Sequence, residues 1–350
     1  MRIAPTPVGT TLRLPETLAE DRSYFTREHL PAAARYYQAE GYVVLRGLVP
    51  AALCDRVRAE FDREVRPSAL PILRQTNMRY EPNRFDADGF LANPIFNVQD
   101  LETRRFGGFK TAALDTLTHP EVQRAVAALL DAERAKLIQS MFFEGSVGTW
   151  AHQDSYYQDS TELGRCAAGW FALEDMRADT GRFYVCPGSH LRVPVIRNES
   201  ELDLAYGHER YKEAVLAAAR RYEVEWRSPF LRQGDVLFWS SRTIHGSLPT
   251  RERGVSRTSL TAHYLRDGDE MLQFHSRVRR QNLTTHNGMT VGRLHDQDDW
   301  RNRAIRDLAA SFPTAFAAAR RASIRALLLI IQQRRRWRRF GLLDRLHAAR

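Results

Sequence analysis

The chain has 350 residues, 43% hydrophobic, 27% charged and 10% aromatic, a composition that excludes disorder and fibrous repeats and is large enough for one substantial core or two modest ones. No uninterrupted apolar run exceeds six residues (326–331 is one), against the about 20 that a membrane-spanning helix needs, and Cys54, Cys166 and Cys186 are too scattered for a disulfide framework or a structural zinc site. The formal charge of +10 is uneven: residues 301–350 hold 13 Arg, no Lys and 2 Asp, while residues 1–300 hold 39 basic and 40 acidic residues, so a neutral body carries a basic tail and nucleic acid is not an expected partner.

The opening MRIAPTPVGTTLRLPETLAEDRS has Pro, Thr and acids where a signal peptide needs an apolar stretch, so a cytoplasmic protein is expected. Residues 31–65 read as a helix, a short strand over 42–46 and a second helix after Pro50, with Leu53, Val57, Phe61 and Val65 on one face. From 67 to about 108 the chain is rich in Pro, Asn, Arg and aromatics without a steady period, which suits a wall or lid. An alanine-rich helix is predicted over 119–136. Short strands follow at 137–144, 149–154, 167–173, 182–186, 235–239 and 258–265, interrupted by a charged helical insertion over 200–227. Strands at this density, without alternating helices, predict a mainly β fold with flanking helices (α+β), an antiparallel sandwich or barrel of the jelly-roll type.

Within GTWAHQDSYY, strand alternation puts His152 and Asp154 on one face and Gln153 on the other. The pair alone is a weak signal. The stretch GDVLFWSSRTIHGS adds a strand that leads to His245 beside small residues. Two imidazoles and a carboxylate on a rigid β framework make a facial triad that leaves half of an iron coordination shell open, room for a bidentate 2-oxo acid and for dioxygen. Zinc hydrolases use a similar ligand set, so zinc stays open on ligands alone. Arg257, at the start of RTSLTAHYL, suits the distal carboxylate of 2-oxoglutarate, because a guanidinium grips a carboxylate bidentately and stays charged. Ser259 shares its face, and Ser247 offers a hydroxyl. His263, at the same parity, is a candidate for the interior behind the ligands, with ordinary packing as the other reading, and His190 in PGSH reads as structural. Tyr156 and Tyr157 are candidates for the substrate entrance, and equally for packing.

EGYVVLRGLVP, AHQDSYYQDS, GWFALEDMRADTGRFYVCPGSH, GDVLFWSSRTIHGS and SRTSLTAHYL lie in order over roughly 38–265, and together they resemble the phytanoyl-CoA dioxygenase family of Fe(II)/2-oxoglutarate oxygenases. The resemblance implies a double-stranded β-helix (cupin-like) core over about 137–270 inside one domain spanning 1–300, with 301–350 as a helical appendage. It implies His152, Asp154 and His245 as iron ligands and Arg257 as the 2-oxoglutarate anchor. Trp170 and Ser247 would line the cosubstrate pocket, and Gln153 matches the middle residue of the family's motif. Related halogenases replace the carboxylate with a small residue, so Asp154 favours hydroxylation. The implied reaction consumes O2 and 2-oxoglutarate, releases succinate and CO2, and hydroxylates a small, carrier-linked or lipid-linked substrate. A catalytically silent β-helix that binds a metabolite or partner is the alternative, against which the intact His152, Asp154, His245 and Arg257 argue. Neither the substrate nor the oligomeric state is readable.

The last segment, 315–350, joins ALLLII to QQRRRWRRFGLLDRL. Such a helix fits a membrane surface or anionic glycolipid, with Trp337, Phe340 and Leu342 inserted, so that the protein would be peripheral to the membrane; packing on the domain is the other reading.

Overall fold

A computed structural model describes residues 2–21, 24–145, 148–178, 180–196, 208–275 and 277–339. Strands β1 (Arg2–Pro5) and β2 (Thr11–Leu14) form a hairpin outside the predicted elements. Then α1 (Leu30–Glu40), β3 (Tyr42–Leu45) and α2 (Ala51–Glu60) follow as their periods predict. Helix α1 stops at Gly41, whose φ of +77° is left-handed, and a Cβ there would collide with His190 and Thr243.

The irregular stretch after residue 67 is ordered by short strands and by one buried side chain. It contains the short strands β4 (Ile72–Leu73), β5 (Tyr80–Glu81) and β6 (Ile95–Phe96). Fully buried Arg74 donates to the carbonyls of Glu81 and Asn93 and to Asn83 Oδ1, which ties its turns together. Two helices come next, α3 (Thr103–Leu117) and α4 (Pro120–Leu129). The predicted helix over 119–136 is therefore shorter: Asp131, at φ +49°, turns the chain, and Ala135 already opens β7 (Ala135–Phe143).

The remaining strands are β8 (Thr149–His152), β9 (Gln158–Ser160), β10 (Cys166–Ala172), β11 (Phe183–Val185), β12 (Val236–Ser240), β13 (His245–Ser247), β14 (Ser259–Arg266), β15 (Met271–Gln273), β16 (Arg277–Arg279), β17 (Asn282–His286) and β18 (Met289–Arg293). Among them sit α5 (Ser189–Arg192) and α6 (His208–Arg221), the latter inside the predicted insertion, whose first part lies outside the described residues. The chain then runs through α7 (Trp300–Ser311) and α8 (Pro313–Arg339).

The large sheet has the order β17-β18-β7-β14-β10-β12-β3, with β6 also on β7; a smaller sheet, β11-β13-β8, stands apart from it. Period-two alternation divides the large sheet's side chains. Val43, Phe171, Phe238, Leu260 and Tyr264 join Val57, Phe61, Phe109 and Val126 of the helices in the main core. Phe61, Phe109 and Phe142 pack there with ring centroids 4.5–5.8 Å apart, each burying a side chain that contributes about 1.5–3 kcal/mol. From the opposite face, Tyr42, Ala168, Trp170, Leu237 and Trp239 meet Phe183 and Val185 of the smaller sheet. Two sheets closed over one another in this way are a double-stranded β-helix with flanking helices, as expected.

Buried Arg306 fastens α7 to the body through Glu102 at 3.0 Å. Trp337 falls on α8, and Phe340 and Leu342 lie outside the described residues. No helix among the described residues is long and apolar enough to cross a membrane.

Candidate active site

Antiparallel pairing of β8 with β13 sets His152 opposite His245, with ring centroids 4.2 Å apart. The chain leaves β8 into a short 3-10 turn that brings Asp154 back to the same face. Its Oδ1 lies 3.4 Å from His152 Nε2 and 3.5 Å from His245 Nε2. One ligand atom from each of the three residues fits within 4.8 Å of the others.

Hydrogen bonding fixes what these atoms offer. His152 Nδ1 is 2.8 Å from the Trp150 carbonyl, and His245 Nδ1 is 2.9 Å from that of Thr243. A carbonyl only accepts, so each Nδ1 carries the hydrogen and donates it, and in a neutral ring Nε2 is left with a lone pair. Burial pushes His245 down to about 3, against the partial opposition of the Asp154 charge, so its ring is neutral. Asp154 Oδ2 accepts from Trp239 Nε1 at 2.8 Å and lies 3.1 Å from His263 Nε2. The other nitrogen of His263, Nδ1, faces the Gln139 amide at 3.5 Å and accepts from it. Burial would raise the Asp154 carboxyl, but the adjoining histidines, His245 and His263 foremost, outweigh it and hold the group well below the usual carboxylate range. Two lone pairs and a carboxylate oxygen thus converge with no donor between them. A cation is the group that satisfies such a set.

Arg257 is buried just before β14, and its Nη1 donates to the Gly181 carbonyl at 2.6 Å. The guanidinium lies over Trp170 at 5.4 Å and Phe143 at 5.9 Å. Burial lowers its pKa to about 10, so it stays charged, yet no carboxylate pairs with it among the described residues. Its Nε has no acceptor, and Ser247 Oγ is likewise buried without a partner. An uncompensated buried charge is costly, so this pocket suits an anionic, hydrogen-bonding ligand. Trp170 stacks on Phe183 at 5.6 Å and Phe183 stacks on His245 at 5.5 Å, which makes a continuous aromatic lining from the guanidinium to the histidines.

The other predicted residues are placed as follows. Ser259, the first residue of β14, is buried with Oγ 3.5 Å from the carbonyl of Arg257, two residues before it. The Gln153 amide donates to the Arg242 carbonyl at 2.9 Å and accepts from Ile196 N at 3.1 Å. Alternation turns it away from His152 and Asp154, so it latches backbone behind the cluster instead of facing a cosubstrate. Tyr156 stacks on Tyr211 with centroids 3.8 Å apart and is buried in packing, the second of its two readings. Tyr157 keeps its position beside His152, ring centroids 6.1 Å apart. His190 Nε2 lies 3.0 Å from the Gln38 carbonyl, a structural contact. Sequence reasoning missed Trp239 and Phe183, although the parity that places His263 inward also applies to Trp239 in VLFWS.

The family model described as phytanoyl-CoA dioxygenase (PhyH) matches residues 37–259. The chain is 25% identical over 197 residues to the Bos taurus phytanoyl-CoA dioxygenase domain-containing protein 1, covering 46% of this chain and 65% of that protein. It is 23% identical over 248 residues to the peroxisomal phytanoyl-CoA dioxygenase of Homo sapiens, covering 66% of each. The matched stretches therefore span just under two thirds of these relatives' length. Among solved structures, the epimerase SnoN in complex with Fe3+, alpha ketoglutarate and nogalamycin RO superposes with a TM-score of 0.52 at 18% identity, covering 76% of this chain and 95% of that one. The alpha ketoglutarate dependent carbocyclase SnoK gives 0.51 at 18% identity, over 71% and 88%. At such identity the likeness is one of fold.

Proposed function

Because the chain belongs to the phytanoyl-CoA dioxygenase family of Fe(II)/2-oxoglutarate oxygenases, we propose that it is a non-haem Fe(II)- and 2-oxoglutarate-dependent dioxygenase that hydroxylates a small, carrier-linked or lipid-linked substrate. The observation that carries this reading is the convergence of His152 Nε2, His245 Nε2 and Asp154 Oδ1 with no hydrogen between them. These three residues would hold the iron. Bound there, iron would couple the oxidation of 2-oxoglutarate by O2 to succinate and CO2 with oxygen insertion into a substrate C–H bond.

Arg257 Nε and Ser247 Oγ, both orphaned, supply the donors for the distal carboxylate of 2-oxoglutarate. The Trp170 and Phe183 rings flank that carboxylate's path and exclude water, while Trp239 and His263 keep Asp154 oriented by its second oxygen. A zinc hydrolase would leave the unpaired Arg257 without a role. Anaerobic addition of Fe(II) and then 2-oxoglutarate to metal-free protein tests the reading. The expected result is a visible metal-to-ligand charge-transfer band that Arg257→Ala weakens. Folded protein that gives no band would instead be a silent β-helix.

We assign residues 1–300 to the catalytic domain and 301–350 to its basic appendage, and we propose that the appendage meets an anionic membrane or glycolipid surface. Trp300 and Leu308 are 66% and 53% exposed and with exposed Ala304 recur every fourth residue as an apolar stripe on the solvent side of α7, with Phe312, 60% exposed, just past its end. Apolar stripe and cationic flank together are what an interfacial helix needs.

A further inference from the structure

The β8–β13 ladder fixes His152 against His245, but Asp154 lies beyond the end of β8, in a 3-10 turn outside that pairing. Trp239 and His263 hold its carboxylate. The backbone that carries it has a separate anchor in Asp159 on β9, whose carboxylate is buried and takes no part in the proposed chemistry.

Asp159 Oδ2 accepts from Ser155 Oγ at 2.5 Å and from Ser241 Oγ at 3.1 Å. Ser155 directly follows Asp154, and Ser241 lies in the turn that leads from β12 to His245. Within that turn Thr243 N donates to the Ser240 carbonyl at 2.8 Å, and the Thr243 carbonyl accepts from His245 Nδ1 at 2.9 Å. Beside the carboxylate, Ser155 N donates to the Ser241 carbonyl at 2.8 Å. One oxygen of Asp159 and one backbone bond therefore join the segment of Asp154 to the segment of His245.

The carboxylate is itself held in place. Its Oδ1 accepts from Ser160 N at 2.8 Å, and Gly164 N, where φ of +89° turns the chain back, lies 3.1 and 3.0 Å from the two oxygens. All these donors are neutral, and no basic side chain among the described residues forms an ion pair with Asp159. Burying a carboxylate without counter-charge is costly, and burial raises its pKa against the hydrogen bonds. A turn that only had to close could use Asn, which presents one acceptor oxygen; this network needs two. What the acid adds is a firm grip on both hydroxyls at once.

We propose that Asp159 is a positioning residue for the metal centre: by gripping Ser155 and Ser241 with one oxygen, it sets how far Asp154 stands from His245 and so whether both reach the same ion. Without that grip, the 3-10 turn is free to swing away from the ladder and to carry the Asp154 carboxylate off the histidines. The inference rests on the metal centre of the oxygenase reading and deepens it, with no dependence on the substrate.

Titration of metal-free protein with Co(II), followed by its visible ligand-field bands, tests the proposal without any turnover. Asp159→Asn is expected to weaken Co(II) binding at least tenfold, within the range typical of outer-shell partners, and to change the shape of the bands. Ser155→Ala and Ser241→Ala, which remove one arm each, should weaken it severalfold. The double variant Asp159→Asn/Ser241→Ala should bind as Asp159→Asn does, because both changes break the same link. Ser160→Ala, whose side chain faces Asp269 instead, should bind as the wild type does. A lower melting temperature of the metal-free variants with unchanged affinity and bands would make Asp159 a purely structural residue and overturn the proposal, as would losses that simply add in the double variant. Should Asp159→Asn fail to fold, the serine variants decide: wild-type affinity and bands in both overturn it. Wild-type protein that shows the expected Co(II) behaviour but gives no charge-transfer band with Fe(II) and 2-oxoglutarate would count against the oxygenase reading alone.

Discussion

Trp239 Nε1 donates to Asp154 Oδ2 at 2.8 Å, so the carboxylate is held by one oxygen while the other faces His152 and His245. Trp239→Phe keeps an aromatic ring against Phe183 and removes only the donor. Outer-shell partners of this kind typically change metal affinity about 10- to 100-fold. Fe(II) titration should therefore show a loss in that range with the thermal midpoint little changed; unaltered affinity would show that His263 alone orients the carboxylate.

Asp154→Ala removes the one anion among the three ligand candidates and leaves His263 Nε2–H and Trp239 Nε1–H pointing into an empty space. Turnover of 2-oxoglutarate should fall below detection, even in folded protein. Normal turnover in this variant would show that the metal ligands are misassigned.

Gly246 separates His245 from Ser247 at the register shift of the β13–β8 ladder. A Cβ there would sit 2.6 Å from the Thr149 carbonyl and against the Tyr184 hydroxyl. Backbone cannot yield as a side-chain tip can, so Gly246→Ala should push β8 away from β13, cost about 1–3 kcal/mol and weaken Fe(II) binding at the same time. Thermal unfolding and metal titration on one sample check the coupling; a stability loss without an affinity loss would mean that the strands keep their spacing.

Burial pushes the Asp100 carboxyl up to about 6, against hydrogen bonds from His295 N and Asn97 Nδ2. Between the unfolded value, about 4, and this raised value, the folded state holds the extra proton, so the contribution of Asp100 to stability falls as pH rises through that window. Asp100→Asn lacks this dependence. Melting temperatures measured from pH 4 to 7 should shift in favour of the variant as pH increases; a constant difference would show that Asp100 is ionised in the fold throughout.

The apolar stripe of α7 predicts that Trp300→Ala/Leu308→Ala/Phe312→Ala weakens co-sedimentation with anionic vesicles severalfold and leaves the 2-oxoglutarate band in place. Equal pelleting of variant and wild type would leave electrostatic attraction by the arginines as the only possible cause of association.

Strand alternation together with the family resemblance made the candidate metal ligands legible in the sequence, although Asp154 reaches the face of His152 through a 3-10 turn beyond β8 and not along the strand. The same rule sent His263 inward. What it does not carry is the identity of the residue met on arrival, so the contact of Trp239 with Asp154 and the stacking of Phe183 on His245 required the folded chain. Helix α3 escaped notice because Gly107 and Gly108 interrupt its apolar face; Gly108 is needed where Glu60, Arg63 and Glu64 crowd against it. The β17–β18 hairpin, which no predicted strand covers, turns at Asn287-Gly288, both at positive φ as a two-residue hairpin turn requires.

The large sheet draws its two edges from distant parts of the chain, β3 at one side and β17 at the other, and Tyr42 finds Trp239 only across the whole intervening sequence. During synthesis, β3 must therefore wait for β12, and the end of β7 at Lys136 and Leu137, which β6 does not cover, stays open on one flank until β18 has been made. Contacts so remote in sequence form slowly and leave strand edges bare meanwhile. Nascent chains stalled between residues 240 and 280 should accordingly be the aggregation-prone species, and a chaperone that shields strand edges should raise the yield of this protein more than a change of temperature does.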